Sequence, residues 1–316
     1  MARPLSRNRS RPALEPNPQP LVIAHRGASL EVAEHTLPAY LAAIATGADG
    51  LECDVRLTRD GHLVCVHDRT VNRTSNGSGI VSELDLAGLQ ELDFASWHDQ
   101  LPSSADELIT DSPYLHGVAP DRESPGGNTV LTLETLLGVV ADAGRPLRLL
   151  IETKHPTRYA GLVEKELVRV LRRFGWADPE RAATDWGPVE SPAAGGAGWD
   201  ADAYPVTIMS FAPTALRRIR QLAPSVPLTL LMERWTPLRR DGGLPTGVGI
   251  GGPGIRLLRT DPDYVKRAHQ AGNRVYCWTV DEPADVQLCR ELGVDAIITN
   301  RPAAVAAQLR EYRTSD

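Results

Sequence analysis

The stretch Leu21-Val22-Ile23-Ala24-His25-Arg26-Gly27 joins a short apolar run to a polar end, and this pattern decides the fold. Four further apolar runs end in, or carry near their C-terminal end, a charged residue or one that can bind a metal or substrate. These residues lie at Glu52-Cys53-Asp54, His67-Asp68, Glu152-Thr153-Lys154 and Trp278. Apolar runs of about four to eight residues are typical of buried strands. Polar groups at the carboxyl ends of successive parallel strands mark the catalytic face of a barrel. The pattern therefore indicates where an active site would lie, but not which reaction it would catalyse.

Strand-like runs and amphipathic helical patterns alternate along most of the chain after residue 20. The first helical pattern places Leu37, Tyr40, Leu41 and Ile44 on one face. Eight predicted strands, with helices between most of them, favour a (β/α)8 TIM barrel; the strands cover about residues 21–24, 50–57, 63–66, 147–153, 206–209, 228–232, 274–280 and 296–299. A doubly wound open sheet is the alternative, but the GxGxxG loop expected after its first strand is absent from the sequence.

Two connections depart from simple alternation. The turn Thr58-Arg59-Asp60-Gly61 is too short for the crossover that a parallel pair needs, so we expect an irregular connection there. The segment from about 69 to 130 carries few helical patterns and is predicted to be a small insertion after the third strand. Residues 1–20 are rich in Pro, Arg and Asn and predict a disordered tail, which leaves residues 21–316 as one barrel domain.

The composition is that of an ordinary globular protein, with 42% hydrophobic and 23% charged residues among 316. A formal net charge of −6 argues against a nucleic-acid partner. No apolar stretch approaches the roughly 20 residues that span a bilayer, so we expect no stable membrane insertion. The cysteines lack CxxC spacing and are predicted to be buried free thiols of a cytoplasmic protein; they are Cys53, Cys65, Cys277 and Cys289.

Three carboxylates form the first candidate constellation. Glu52 and Asp54 are two residues apart on one strand, so their side chains project to the same face. Such close carboxylates repel unless one is protonated or a cation lies between them, and oxygen ligands of this kind suit Mg²⁺ or Ca²⁺. Glu152 is the natural third ligand, and Lys154 offers a point charge to an anionic oxygen. The competing interpretation is a salt-bridge cluster that pairs these acids with Arg26 and Lys154.

Two histidines complete the constellation. His25 and His67 end different strands, where imidazoles suit a general acid and base pair. Arg26 provides a guanidinium fork that matches a phosphate. Most of the other histidines are predicted to lie at the surface or in loops, with His35 the least settled among them. Trp278 is either an apolar wall of the site or a core residue.

Together these residues resemble the glycerophosphodiester phosphodiesterase family, which belongs to the phosphatidylinositol-phospholipase-C-like TIM-barrel phosphodiesterases. The resemblance covers about residues 21 to 302 and is most specific in its opening block of HRG, ExD and HD motifs. It rests on His25-Arg26-Gly27-Ala28-Ser29, Glu34-His35-Thr36, Gly50-Leu51-Glu52-Cys53-Asp54-Val55, Thr58-Arg59-Asp60-Gly61, Val66-His67-Asp68, Asn72-Arg73-Thr74, Gly77, Leu84, Trp97, Ile151-Glu152-Thr153-Lys154, Ser210-Phe211, Val275-Tyr276-Cys277-Trp278-Thr279-Val280, Gly293-Val294-Asp295 and Asn300-Arg301-Pro302.

The resemblance implies a fold, an activity and a set of roles. It implies a TIM barrel in which Glu52, Asp54 and Glu152 hold one divalent cation. It assigns acid-base catalysis to His25 and His67, and it assigns phosphate binding to Arg26 and Lys154. To these substrate-binding residues we add Trp278, the predicted apolar wall. The reaction expected is attack of a neighbouring glycerol hydroxyl on phosphorus, followed by opening of the cyclic phosphate by water.

We therefore expect a metal-dependent hydrolase that converts small glycerophosphodiesters to glycerol 3-phosphate and an alcohol. One alternative is a lysophospholipase D-like enzyme on the same barrel. Another is a barrel that binds glycerophosphodiesters without turnover. The head-group preference, the metal in use, the oligomeric state and the roles of the stretches 186–204 and 237–254 stay open at this level.

Overall fold

The computed structural model describes residues 12–16, 19–98, 128–155, 161–177, 205–236 and 239–315. Most of the predicted tail, the middle of the predicted insertion and the stretch 186–204 lie outside these residues. Within the predicted tail, Leu14 donates its backbone N–H to the carbonyl of His269 at 2.9 Å.

Eight parallel strands close into a barrel. The first strand pairs with both the second and the last, through His25 opposite Glu52 and Ile23 opposite Ile298. This closure confirms the predicted TIM barrel and excludes the open sheet. The strands are β1 (Leu21–His25), β2 (Gly50–Leu57), β4 (Arg148–Thr153), β5 (Val206–Ser210), β6 (Leu228–Met232), β7 (Ile250–Pro253), β8 (Arg274–Cys277) and β9 (Ala296–Thr299).

The third strand in chain order, β3 (Leu63–Cys65), lies outside the barrel. It pairs antiparallel with β2, with Val55 opposite Cys65, and Gly61 turns the hairpin with a φ of 90°. The prediction that residues 63–66 form a barrel strand is therefore wrong. A tight hairpin resolves the crossover problem, because an antiparallel pair needs no long connection.

The barrel strand that sequence patterns missed is β7, which lies in the Gly-rich stretch 237–254. Its glycines leave room for neighbours: a Cβ added at Gly251 would lie 2.6 Å from the hydroxyl of Tyr264, and one at Gly252 would lie 2.8 Å from Leu231. Side chains are thus excluded by close packing on both faces of this strand. A strand in which Ile250 and Pro253 flank two glycines gives no period-two signal.

Helices surround the barrel, and two of them, which begin at Leu37 and Leu133, are capped at the N-terminus by a threonine side chain. Thr36 and Thr132 accept from backbone N–H groups three residues on, at 3.3 and 3.2 Å. The helices are α1 (Leu37–Ala45), α2 (Leu86–Gln90), α3 (Leu133–Ala141), α4 (Leu162–Arg173), α5 (Pro213–Leu222), α6 (Ile255–Thr260), α7 (Tyr264–Gln270), α8 (Pro283–Leu292) and α9 (Pro302–Ser315). No helix in the described ranges combines the length and the apolar character that crossing a membrane requires.

Two apolar layers fix the barrel. The larger one packs the outer strand faces against the helices. The smaller one fills the barrel interior and consists of Ile23, Leu150, Met209, Leu231, Ile250, Tyr276, Ala296 and Ile298. Because this layer blocks the interior, polar side chains at the strand ends form the floor of an open mouth. A third cluster, around Val71 and Phe94, packs the described part of the insertion against β3.

We expect Leu150→Ala to lower the free energy of unfolding by about 2–5 kcal/mol, because Leu150 is buried in the interior layer and truncation leaves a cavity there. The matched control is Leu41→Ala on the outer face of α1, where the side chain is 49% exposed and the expected loss is within about 0.5 kcal/mol. Urea denaturation of both variants measures the difference. Equal losses would show that the interior layer does not stabilise the barrel as described.

Candidate active site

A cavity of about 290 Å³ opens at the carboxyl ends of the barrel strands. Seven of the eight predicted site residues line it: His25, Arg26, Glu52, His67, Glu152, Lys154 and Trp278. The eighth, Asp54, is 1% exposed and contacts two of the lining residues, Arg26 and Lys154. The structure therefore brings the whole predicted constellation to one mouth.

The three carboxylates Glu52, Asp54 and Glu152 are buried and lie close together. One oxygen of each lies within 4.8 Å of the others, since β2 and β4 are paired with Asp54 opposite Glu152. Burial, followed by repulsion from Asp54, raises the pKa of Glu52 well above its usual range. The same two causes raise the pKa of Glu152 to about 7. This crowding of negative charge is what a bound cation relieves.

Two cations already contact the carboxylates. Lys154 Nζ lies 3.0 Å from Asp54 Oδ1 and 2.9 Å from Glu152 Oε2, and Arg26 Nε lies 3.0 Å from Asp54 Oδ2. Although burial opposes ionisation of Asp54, Arg26 and Lys154 hold its pKa well below the usual range. The salt-bridge cluster weighed at the sequence level is thus present, and in this state both cations bind protein carboxylates.

The donor set also fits a hard divalent cation. All three residues offer carboxylate oxygens, which Mg²⁺ and Ca²⁺ prefer. Asp54 Oδ1 is buried and accepts no well-aligned hydrogen bond, although the Lys154 ammonium lies beside it. The residues therefore fit one divalent cation, and its identity is open.

The turn after β1 aims the Arg26 side chain at this cluster. Arg26 has a φ of 59°, and its backbone N–H points at both the carbonyl and the carboxylate of Glu52 at 3.1 Å. Gly27 follows with a φ of 88°, and a Cβ there would lie 2.7 Å from the backbone of Ala39. Glycine is required by both the left-handed backbone and the close approach of α1.

His25 is held by a neutral amide. Its Nδ1 lies 2.7 Å from Asn300 Oδ1, while Asn300 Nδ2 donates to Asp281 at 2.6 Å. Because the amide oxygen faces the ring, Nδ1 carries the proton and Nε2 is left as an acceptor directed toward Glu52, 3.9 Å away. Burial, with Arg26 adding to it, lowers the pKa of His25 to about 3.

His67 is held by a carboxylate instead. Its Nδ1 lies 2.7 Å from Asp68 Oδ1, and Arg56 donates to its carbonyl at 2.7 and 3.0 Å. Burial lowers the pKa of His67, whereas the charge of Asp54 and the hydrogen bond to Asp68 oppose that shift. The two histidines therefore differ in the charge of their partners.

Sequence reasoning missed an ionic clamp formed by Glu34, Asp68 and Arg73. Arg73 contacts Glu34 through two nitrogens at 2.8 Å each and donates from Nε to Asp68 at 2.7 Å. Glu34 also accepts from Arg26 at 3.1 Å. The clamp thus ties Arg26, in the turn after β1, to His67 beyond β3. Arg73 belongs to a motif that carried the resemblance, but its pairing across 39 residues leaves no sequence pattern.

His35 is a second residue whose part was missed. It is buried, its Nε2 lies 2.9 Å from Asp54 Oδ2, and its Nδ1 lies 2.8 Å from the hydroxyl of Tyr40. It contacts the same Asp54 oxygen as Arg26 but does not itself line the cavity. His269 is also buried, 2.9 Å from Asp295. His35 lies in the loop after β1, as predicted, but it is buried there. The expectation that most of the remaining histidines lie at the surface or in loops is wrong for His269, which is buried in α7.

Trp278 lies in the wall of the cavity, where it is half-buried and packs against the interior layer. Its indole N–H donates to the carbonyl of Gly252 at 2.8 Å, and its ring meets Phe211 edge-on, with centroids 5.4 Å apart. Met209, Leu231 and Ile298 complete this apolar side of the mouth. The position agrees with the predicted wall, and contact with substrate stays a prediction.

The chain matches the model of the glycerophosphoryl diester phosphodiesterase family over residues 25–304. A Mycobacterium tuberculosis protein named "Probable glycerophosphodiester phosphodiesterase 1" is 42% identical over 94% of each chain. A Bacillus subtilis protein named glycerophosphodiester phosphodiesterase is 30% identical over 89% of this chain and 84% of its own.

Solved structures agree with the fold. A glycerophosphodiester phosphodiesterase from Agrobacterium tumefaciens superposes with a TM-score of 0.64 at 20% identity, covering 91% of this chain and 99% of its own. An Oleispira antarctica phosphodiesterase, solved with the product sn-glycerol-3-phosphate, gives a TM-score of 0.65 at 22% identity and covers 92% and 97%. With the family match and the 42% identity, the chain belongs to the glycerophosphoryl diester phosphodiesterase family and is a phosphodiesterase.

Proposed function

We propose that the protein is a metal-dependent hydrolase that cleaves glycerophosphodiesters to glycerol 3-phosphate and an alcohol. The observation that carries this proposal is the single mouth in which three buried carboxylates face two histidines with different partners. The names of the relatives and the product bound to the Oleispira antarctica protein support the choice of substrate class.

The carboxylates would hold one divalent cation, Mg²⁺ or Ca²⁺, which when bound supplies positive charge to a phosphoryl oxygen. Arg26 and Lys154 would bind the remaining phosphate oxygens from the same side of the cavity. Arg26 is held by Asp54 and Glu34, so its charge is oriented before substrate enters; the Lys154 ammonium would become available to phosphate when a cation replaces it at Asp54 and Glu152. Orientation of this kind stabilises charge in the transition state without reorganisation.

Proton transfer would use the difference between the histidines. His25 Nε2 is an acceptor because Nδ1–H is committed to the Asn300 amide, which suits a base that takes the proton of the attacking glycerol hydroxyl. The Asp68 carboxylate stabilises a protonated His67, which suits an acid that protonates the departing alkoxide. Water then opens the cyclic phosphate with the roles reversed, which returns both histidines to their starting states.

We also propose a cytoplasmic setting. The four cysteines are buried free thiols, which suits a reducing compartment.

A panel of glycerophosphodiesters assayed with Mg²⁺, Ca²⁺ and Mn²⁺ tests the proposal directly, with glycerol 3-phosphate as the expected product. Lysophosphatidylcholine belongs in the panel, because preferential cleavage of it would favour the lysophospholipase D-like alternative. Absence of glycerol 3-phosphate with every diester and every metal would overturn the proposed function.

Replacing one ligand tests the cation site. We expect Glu152→Gln to weaken Mg²⁺ or Ca²⁺ binding by at least about tenfold, because it removes one of three charged oxygen donors. Isothermal titration calorimetry measures this without turnover, and EDTA should abolish activity of the wild type. Glu166→Gln on the exposed side of α4 is the matched control. Unchanged cation affinity in Glu152→Gln would remove that residue from the site.

Replacing either histidine tests the proton transfers. His25→Ala and His67→Ala should each lower kcat at least about 100-fold, since each removes one proton-transfer group. His62→Ala is the control, because that side chain is 52% exposed on the β2–β3 hairpin. Thermal unfolding verifies that the variants fold. Near-wild-type kcat in a folded variant would exclude that histidine from the chemistry.

The partner of His67 predicts a pH effect. Burial lowers the pKa of His67, and Asp68→Asn keeps an acceptor for Nδ1–H but removes the carboxylate whose hydrogen bond opposes that lowering. A general acid must be protonated, so the alkaline limb of the kcat/KM profile should move to lower pH, by about one unit. Asp85→Asn, on an exposed ion pair with Arg59, should leave the profile unchanged. A shift confined to the acidic limb would instead make His67 the base.

A further inference from the structure

We propose that the mouth contains a subsite for a positively charged alkylammonium head group, formed by Phe211, Trp278 and Glu233. Glu233 would be the residue that determines specificity for such substrates. This inference rests on the proposed function, because it names the leaving alcohol of the same reaction.

One side of the cavity wall is charged and polar, and the other side is mostly apolar. The side built from β1 to β4 and the β2–β3 hairpin carries the residues for phosphate and proton transfer: His25, Arg26, Glu52, His67, Glu152 and Lys154. The side built from β5 to β9 is mostly apolar, with Met209, Phe211, Leu231, Trp278 and Ile298. Glu233 is the one charged residue that lines this second side among the described residues. A carboxylate on an otherwise apolar wall favours a cation that also carries apolar surface.

The aromatic pair provides that surface. Phe211 and Trp278 both line the cavity and meet at 90° with centroids 5.4 Å apart, and Phe211 is 41% exposed. Trp278 is fixed by its hydrogen bond to Gly252 and lies against Gly254, where a Cβ would be 3.5 Å from the indole. Aromatic faces held in place attract alkylated ammonium groups through cation–π interactions.

Glu233 lies where it can add a charge to this pair. It follows β6 directly, and β6 lies between β5, which precedes Phe211, and the β7–β8 side that carries Trp278. Within the described ranges, no Lys, Arg or His nitrogen lies within 4.0 Å of its carboxylate. The charge is therefore not neutralised by a described neighbour, in contrast to Glu34 and Glu152.

The two sides together match a zwitterion. A diester whose phosphate binds near Arg26 and Lys154 would extend its alcohol toward the opposite wall, where Glu233 attracts an ammonium and repels an anion. Choline and ethanolamine diesters have this charge pattern, whereas glycerol or inositol head groups do not. The attraction is of moderate size, because Glu233 is exposed and solvent screens it.

The test is the kcat/KM of wild type and Glu233→Gln with glycerophosphocholine and with glycerophosphoglycerol, a diester with a neutral head group. Glu233→Gln should lower kcat/KM for the choline diester about fivefold, mainly through KM, and leave the glycerol diester unchanged. Phe211→Ala should also lower the preference for choline. Glu282→Gln, an exposed glutamate that does not line the cavity, is the matched control. Added NaCl should raise the KM of the wild type more for the choline diester than for the glycerol diester, because only the choline diester has a second charge to be screened.

Binding measured without turnover separates this inference from the proposed function. Glycerophosphocholine should bind to His67→Ala about fivefold more tightly than to the His67→Ala, Glu233→Gln double variant, measured by calorimetry with the metal present. Equal binding to both variants, or equal losses for both diesters in the kinetic assay, would overturn the subsite. Failure of the wild type to cleave any diester would overturn the proposed function, and the binding comparison would still decide the subsite.

Discussion

The ionised carboxylate of Asp54 is the charge on which the mouth of the barrel depends. It is almost completely buried, and a buried charge is tolerated only when it is paired and hydrogen-bonded. Its partners Arg26 and His35 come from the connection between β1 and α1, and Lys154 directly follows β4. One buried charge on β2 therefore couples two other segments of the barrel mouth.

The same charges restrict how the site can work. Lys154 contacts two of the three carboxylates, so a divalent cation bound to those oxygens would compete with its ammonium group. A lysine displaced from the carboxylates has its charge available for a phosphate. Arg26 is less free to exchange partners, because Glu34 and the Arg73 clamp hold it from the other side. Arg26 and Lys154, which have the same predicted role in the sequence analysis, thus differ in how readily they can exchange their carboxylate partners.

The sequence predicted the features that repeat along the chain and missed those that depend on packing between distant segments. Strand ends are marked by a change from apolar to polar residues, so the barrel and all eight candidate site residues could be predicted. The strand β7 could not be predicted, because its central residues are glycines and give no apolar pattern. Neighbouring residues fill the space that side chains at Gly251 and Gly252 would occupy. Residues 63–66 resemble a barrel strand in sequence, because an apolar run does not reveal the direction in which its strand pairs.

The residues that hold the site residues in place were harder to predict, because they too make contacts between segments that are distant in sequence. His35 and Arg73 resemble surface residues in sequence, and only the fold shows that they contact Asp54 and the Glu34–Asp68 pair. The partners of the two histidines also come from the fold: Asn300 lies after the last strand, 275 residues from His25. Burial lowers the pKa of both imidazoles, and they differ further because an amide holds one and a carboxylate the other. The contact between His25 and Asn300 depends on closure of the barrel, which brings β1 beside β9.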